Sequence, residues 1–219
     1  KPDDVLVVSA QAAPFVKKYK DRINSKIIVA EPKNFPSDWK LNVLGGHNVL
    51  NAICAVEAAR AIGIDDSVTR RALTAFKGVE GRLELVREVR GIKIYNDTTA
   101  TTPDATLVAL DVLRDASGQN QNVILIMGGA DKGLDMSELI PRLSGLKRVI
   151  LLSGSGTDLI MGSIPTAPVY ERLDLTVQDA MEFASEGDIV LLSPAFSSKG
   201  MFANEYDRGD QFNALVKAL

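Results

Sequence analysis

Val123-Ile124-Leu125-Ile126-Met127-Gly128-Gly129-Ala130-Asp131-Lys132-Gly133 is the stretch on which the fold turns. Five apolar residues end on two glycines, an acid and a lysine. This is the pattern of a strand that runs through a core and opens into a loop at its carboxyl end. The same alternation extends outward in both directions. Upstream, Leu83 to Val89, Arg90-Gly91 and Ile92 to Tyr95 read as a β-hairpin with a two-residue turn, and a helix over Asp104 to Leu113 leads into the quoted strand. Downstream, a helix over Met136 to Leu143 precedes a strand over Arg148 to Leu152. A helix over Thr176 to Ala184 precedes a strand over Ile189 to Leu192, and a last helix covers roughly Met201 to Ala218.

Strand and helix in alternation predict an α/β fold, a Rossmann-like, mostly parallel sheet with a β-hairpin start and helices on both faces. Its crossovers should be right-handed. The first 80 residues read as a separate, truncated α/β piece. Val5 to Val8 and Lys26 to Val29 are short β-branched runs, Ala13 to Arg22 is expected to be a helix between them, and Glu31 to Trp39 a surface loop. A strong helix over Val49 to Ile62 stops at Gly63, and Asp66 or Ser67 caps a second helix through Phe76. Gly78-Val79-Glu80-Gly81-Arg82, where helical periodicity gives way to alternation, marks the expected boundary between residues 1–80 and 81–219. The chain opens at Lys1-Pro2-Asp3-Asp4 with neither an initiator Met nor a capping element before the first strand, which reads as a cut through a larger protein.

Composition narrows the class of function. Of 219 residues, 46% are hydrophobic and 24% charged, with a net charge of −3 and both signs scattered. No basic tract longer than two residues occurs, which argues against a nucleic-acid partner. No apolar stretch approaches the ~20 residues of a membrane span, no signal-peptide pattern is read, and the single Cys54 suggests a reducing compartment. A cytoplasmic location is therefore expected. Cys54 itself lies in the apolar run Asn51-Ala52-Ile53-Cys54-Ala55-Val56 and reads as a packing residue rather than a catalytic thiol.

In open α/β sheets, ligands collect at the carboxyl ends of the strands. After Ile94-Tyr95 come Asn96-Asp97-Thr98-Thr99-Ala100-Thr101-Thr102-Pro103, hydroxyls and one carboxylate ahead of a helix N-terminus, where free N–H groups and the dipole favour an anion. Thr102-Pro103-Asp104 is also a good helix start, so capping accounts for part of the run and not the whole. In the loop Gly128 to Gly133 the glycines allow close backbone approach to a ligand, and Lys132 can supply a point charge to a carboxylate or phosphate. The alternative is a glycine turn carrying one exposed lysine. The loop is no phosphate-binding P-loop, because the GxxxxGK[ST] spacing is missing. Ser153-Gly154-Ser155-Gly156 reads as a structural turn at a helix start. The small and hydroxyl residues from Ser193 to Phe202 could ring an anion. Hydrolysis by Ser197 or Ser198 is disfavoured, since the one histidine, His47, lies in the other predicted domain and no GxSxG elbow exists. A lone His47 makes no metal site. Asn48 and Asn51, three apart, present both amides on one side of a helical turn, which suits a nucleobase edge; helix capping by Asn48 is the alternative, and both stay open.

Taken in order, these segments resemble the Mur ligase family, and within it the D-glutamate-adding branch. Gly46-His47-Asn48-Val49-Leu50-Asn51 is similar to its GxHNxxN segment, and Gly81-Arg82-Leu83-Glu84 to the start of its carboxy-terminal domain. Tyr95 to Thr101 resembles the ND[ST]xAT loop, Gly128 to Lys132 the GG.DK loop, and Leu192-Ser193-Pro194-Ala195 through Arg208-Gly209-Asp210-Gln211-Phe212 the LSPA…RGxxF segment. The resemblance implies that residues 1–80 are the tail of a central ATPase domain and 81–219 a carboxy-terminal ligase domain. It implies adenine contacts from Asn48 and Asn51, ribose contacts from Asp97 and a nucleotide contact from Arg82 at the interdomain hinge. Thr101, Lys132 and Ser198 would hold D-glutamate, and His47 would position the metal-phosphate region, so that His47 and Lys132 are the catalytic candidates. ATP with Mg2+ would activate UDP-N-acetylmuramoyl-L-alanine for attack by the amine, a step of peptidoglycan synthesis. Two positions depart from the pattern: Thr99, where members often carry lysine, and Glu205, where an aromatic is commoner and Tyr206 would take over packing. The phosphate loop and magnesium-binding acids belong to a portion of the family's chain that would precede position 1, so this chain alone is not expected to ligate. A folylpolyglutamate synthase or other Mur-type ligase, and a non-catalytic binding module, are the alternatives.

Overall fold

The computed structural model describes residues 3–219. The chain divides into two compact units between Gly78 and Val79. In the first, strands β1 (Val5–Ser9) and β2 (Lys26–Ala30) pair in parallel, with Val5 opposite Lys26 and Ser9 opposite Ala30. Between them the expected helix is broken into α1 (Ala13–Lys17) and a 3-10 turn over Lys20–Arg22. None of its residues is buried, and its end is closed by i→i+3 bonds such as Tyr19 N–H to Val16 O (3.0 Å). A segment this short with no buried face has nothing to sustain longer helix.

Helix α2 (Gly46–Ala61) begins three residues earlier than expected, and α3 (Asp66–Ala75) follows. The α3 cap is Asp65, whose carboxylate accepts from Ser67 N–H at 2.8 Å, rather than Asp66 or Ser67. Ile53 and Val56 of α2 pack with Ala30, Val7, Phe35, Trp39 and Cys54 into a small core. Burial pushes the Cys54 thiol above its ordinary pKa, which suits packing and not nucleophilic chemistry.

The second unit carries a six-stranded sheet in the order β3-β4-β8-β5-β6-β7. Its strands are β3 (Glu84–Val89), β4 (Ile92–Asn96), β5 (Val123–Gly128), β6 (Arg148–Leu152), β7 (Val169–Tyr170) and β8 (Ile189–Leu192). β3 and β4 form the antiparallel hairpin, with a register shift between Leu85 and Arg87, and every other pairing is parallel. The fold is thus α/β with a mostly parallel sheet and a hairpin start. β5 is buried throughout, and its side chains alternate between two cores. Ile124 and Ile126 join Val177, Met181, Phe212 and Val216 of helices α7 (Leu173–Phe183) and α8 (Glu205–Ala218). Val123, Leu125 and Met127 join Leu110 of α4 (Pro103–Val112), Leu113 at its C-cap, Leu143 of α5 (Ile140–Leu143) and Ile160 of α6 (Ser155–Ile160). Each such side chain contributes roughly 1.5–3 kcal/mol when fully buried, so β5 anchors both layers.

Other elements also differ from the expectation, and α7 begins at Leu173, three residues before Thr176. α5 is only its last turn, because Pro141 has no N–H to give Ser137 O; Ile140 N–H to Met136 O (3.0 Å) closes the preceding turn. α8 starts at Glu205, not Met201, because Asn204 caps it: Asn204 Oδ1 accepts from Asp207 N–H (2.9 Å), while Asp207 Oδ2 accepts from Ala203 N–H (2.9 Å), one residue outside the cap. β7 was not expected at all, being two residues after Pro168.

Candidate active site

The carboxyl ends of β4, β5, β6 and β8 carry four loops that fasten to one another. The central contact is made by backbone. Ala130 N–H donates to Ser197 O (2.9 Å) and Ser197 N–H to Ala130 O (3.0 Å), joining the loops after β5 and β8. Gly156 N–H donates to Gly129 O at 2.9 Å, joining the loop after β6. Gly128 and Gly129 have φ of 115° and 137°. A Cβ on Gly129 would lie 2.3 Å from Ser197 O, and one on Gly128 2.4 Å from Leu152 O. The glycines predicted to let a ligand approach instead let the protein's own backbone approach. Asp131 N–H donates to Ser155 Oγ (3.1 Å), so the turn over Ser153–Gly156 braces the lysine loop.

On this platform Lys132 is exposed, and its Nζ donates to Thr101 Oγ1 at 3.1 Å. Two residues 31 apart in sequence, from the loops after β5 and β4, thereby converge as a cation beside a hydroxyl, a pair suited to a carboxylate. The Thr101 loop is set on a buried acid. Asp97 is 8% exposed; its Oδ1 accepts from Leu83 N–H (3.0 Å) and its Oδ2 from the Ser193 hydroxyl (2.8 Å). Burial pushes its pKa up to about 6, against the lowering effect of the Ser193 and Leu83 bonds and of the nearby Arg82 charge. Thr99 Oγ1 donates to Gly81 O (2.9 Å), tying the same loop to the chain just after the unit boundary. Arg82 is exposed and near enough to act on Asp97. Ser198 is buried beside the Ala130–Ser197 bridge, while Tyr206, in the first turn of α8, is 61% exposed.

In the first unit His47 is exposed at the start of α2. Asn51 Nδ2 donates to Asn48 Oδ1 (3.3 Å), and Asn48 Nδ2 donates to Leu44 O (2.7 Å). Asn48 therefore lies inside the helix and does not cap it; the N-cap is Gly45, with φ 96° and no side-chain bond. Asn51 is exposed, and beyond this bond its amide has an acceptor Oδ1 and a second N–H to offer a partner. A triphosphate finds no glycine-rich Gly-Lys-Thr or Gly-Lys-Ser loop in the sequence. Among the described residues no group of three or more His, Cys, Asp or Glu could hold a metal ion, so a magnesium ion here would depend on phosphate oxygens and water for most of its ligands. No helix among them is long and apolar enough to cross a membrane.

Sequence reasoning named Ser193, Ser155 and Arg208 within their segments but gave none of them a role of its own. Arg208, Phe212 and Val216 repeat at helical spacing along α8, so an arginine on an apolar stripe was the available signal.

Residues 81–196 match the family model of the Mur ligase glutamate ligase domain. The chain belongs to the Mur ligase family. Over 183 residues it is 39% identical to the UDP-N-acetylmuramoylalanine--D-glutamate ligase of Roseiflexus sp. (strain RS-1), covering 80% of this chain and 38% of that protein. The chain spans about two fifths of the length of the curated relatives it matches. Among solved structures, the MurF ligase of Thermotoga maritima in complex with ADP aligns with a TM-score of 0.68 at 17% identity, covering 100% of this chain and 55% of that one. The Mycobacterium tuberculosis folylpolyglutamate synthase complexed with ADP and AMPPCP aligns at 0.70 and 14% identity, covering 96% and 55%. At these identities the likeness is one of fold.

Proposed function

We propose that this chain is the amino-acid-binding part of an ATP-dependent ligase that joins D-glutamate to UDP-N-acetylmuramoyl-L-alanine in cytoplasmic peptidoglycan precursor synthesis. The observation that carries the reading is the meeting of Lys132 Nζ and Thr101 Oγ1 at 3.1 Å over the strand ends. Residues 1–80 are taken as the tail of the ATPase domain and 81–219 as the carboxy-terminal domain. ATP, when bound, supplies the phosphoryl group that activates the acceptor carboxylate. Lys132 and Thr101 orient D-glutamate through its carboxylates, with Ser198 and Tyr206 as further contacts. Lys132 also offers fixed positive charge where negative charge develops during transfer. Asn48 and Asn51 contact adenine, Asp97 holds the ribose hydroxyls, Arg82 reaches the nucleotide, and His47 helps position the metal-phosphate region. Magnesium is part of the proposal through the remainder of the full-length protein.

The test is Lys132→Ala in the full-length ligase. Losing a charge-assisted bond to a carboxylate, about 1.5–3 kcal/mol, should raise the KM for D-glutamate roughly ten- to hundredfold and leave the KM for ATP in place. Unchanged D-glutamate kinetics would sink this assignment and favour a module that docks without catalysis.

A further inference from the structure

Arg208 heads the largest fully buried side chains of the described residues, with 0% exposure, and the site described above gives it no part. Its Nε donates to Thr98 Oγ1 at 3.0 Å and its Nη2 to Thr98 O at 2.8 Å, so the planar fork grips one residue at two points. Thr98 Oγ1 in turn donates to Glu205 O (2.8 Å), and Thr98 N–H to Asn96 Oδ1 (3.0 Å). The guanidinium is not at ease there. Nη1 is buried without a partner, and burial lowers the pKa to about 10 although Glu205 acts to raise it. Removing a charge from water without a matched carboxylate is costly, and an apolar residue would continue the stripe of Phe212 and Val216 at less cost. Packing alone therefore does not account for Arg208.

What an apolar residue cannot do is fix the direction of the Thr98 backbone. From that point the loop is tightly wound: Ala100 N–H donates to Asp97 O (2.9 Å) and Thr101 N–H to Thr99 O (2.9 Å). Two short turns pass any displacement of Thr98 to Thr101, the residue that meets Lys132. We infer that Arg208 is a positioning residue for amino-acid recognition: by gripping Thr98 from α8 it presets the Thr101 hydroxyl against the Lys132 ammonium, so that both meet the substrate carboxylate in one geometry. This rests on the reading of Thr101 and Lys132 as the amino-acid site.

The experiment uses the full-length ligase with Arg208→Met, Arg208→Lys, Thr98→Ser and Lys132→Ala. Arg208→Met keeps the volume and removes the fork; it should raise the KM for D-glutamate by about tenfold, the scale of one lost polar contact, while the KM for ATP and the melting temperature hold. Arg208→Lys should recover part of that loss, and Thr98→Ser, which keeps both acceptors, should behave as the unmodified enzyme. Combined with Lys132→Ala, Arg208→Met should add little, because both act on one contact. The inference is overturned if Arg208→Met leaves D-glutamate KM unchanged, or raises both KM values alike as the melting temperature falls. Should Arg208→Met fail to fold, Thr98→Val decides: it removes one acceptor, and an unchanged D-glutamate KM overturns the idea. If Lys132→Ala changes KM and Arg208→Met does not, only the positioning role fails. If Lys132→Ala changes nothing, the proposed site itself fails and takes Arg208 with it.

Discussion

Gly129 offers the sharpest test of how the lysine loop is built. With φ at 137°, an alanine there carries the strain of a backbone region that side chains avoid, about 1–2 kcal/mol. Its Cβ would also lie 2.3 Å from Ser197 O, a backbone atom held by its bond from Ala130 and unable to swing away. Forcing atoms into such a contact costs a further 1–3 kcal/mol or so, giving about 2–5 kcal/mol in all. Gly133, four residues along the same loop, separates the two contributions. Its φ is 69°, yet nothing lies within 4 Å of the place an alanine methyl would take, so Gly133→Ala should carry the backbone strain alone. Urea unfolding of both variants, followed by far-UV circular dichroism, should show unchanged slopes. At a slope of roughly 2 kcal/mol per M, the Gly129→Ala midpoint should fall by about 1–2.5 M and the Gly133→Ala midpoint by about 0.5–1 M. Equal shifts in the two variants would refute the claim that backbone contact, and not φ alone, demands glycine at position 129.

Asp97 gives a pH signature. Its folded pKa of about 6 lies above the ordinary 3.8, so the folded state holds the extra proton between these values and stability is lost as pH rises through that window. The loss attributable to Asp97 is about 3 kcal/mol. In Asp97→Asn the amide can accept from Leu83 N–H and donate to Ser193, so its stability relative to the parent, from urea midpoints at pH 4 to 7, should climb by about that amount. A flat difference would contradict the burial argument. Substrate choice is read in the full-length ligase offered D-glutamate, L-glutamate, L-alanine and a diamino acid. Preference for anything but D-glutamate would move the assignment to another Mur-type ligase. Given ATP, D-glutamate and UDP-N-acetylmuramoyl-L-alanine, the 219-residue chain alone should form no amide, and phosphate release coupled to amide formation would overturn its reading as an amino-acid-binding part.

Much of the sheet was legible because its strands are apolar runs that stop at glycine or polar clusters, as Val123 to Gly128 does. Elements decided by hydrogen-bond detail were not. Pro141 silently removed one donor and shortened α5, while β7 exists only because two residues happen to pair with Leu151 and Leu152. The start of α8 was readable after all, in the spacing of Asn204 and Asp207. At the candidate site, Thr101 and Lys132 were named from their residue types and loops, and the two side chains meet. Their supports were hidden, since Ser193, Ser155 and Arg208 act across 24 to 110 residues of sequence and no periodicity encodes such contacts.

The flanks of the six-stranded sheet bear on how this unit behaves among other copies of itself. At one flank β3 bends at its register shift and sets Glu84, Arg87 and Glu88 along its length, and Arg87 further reaches Lys217 O at 2.9 Å. At the other, β7 offers only Val169 and Tyr170 after a proline that can donate nothing. A strand from a neighbouring molecule thus meets either a kinked, charged ribbon or one too brief to template a ladder. Concentrated samples should resist the edge-to-edge growth that open sheets invite, because the two exposed borders deny it a starting point.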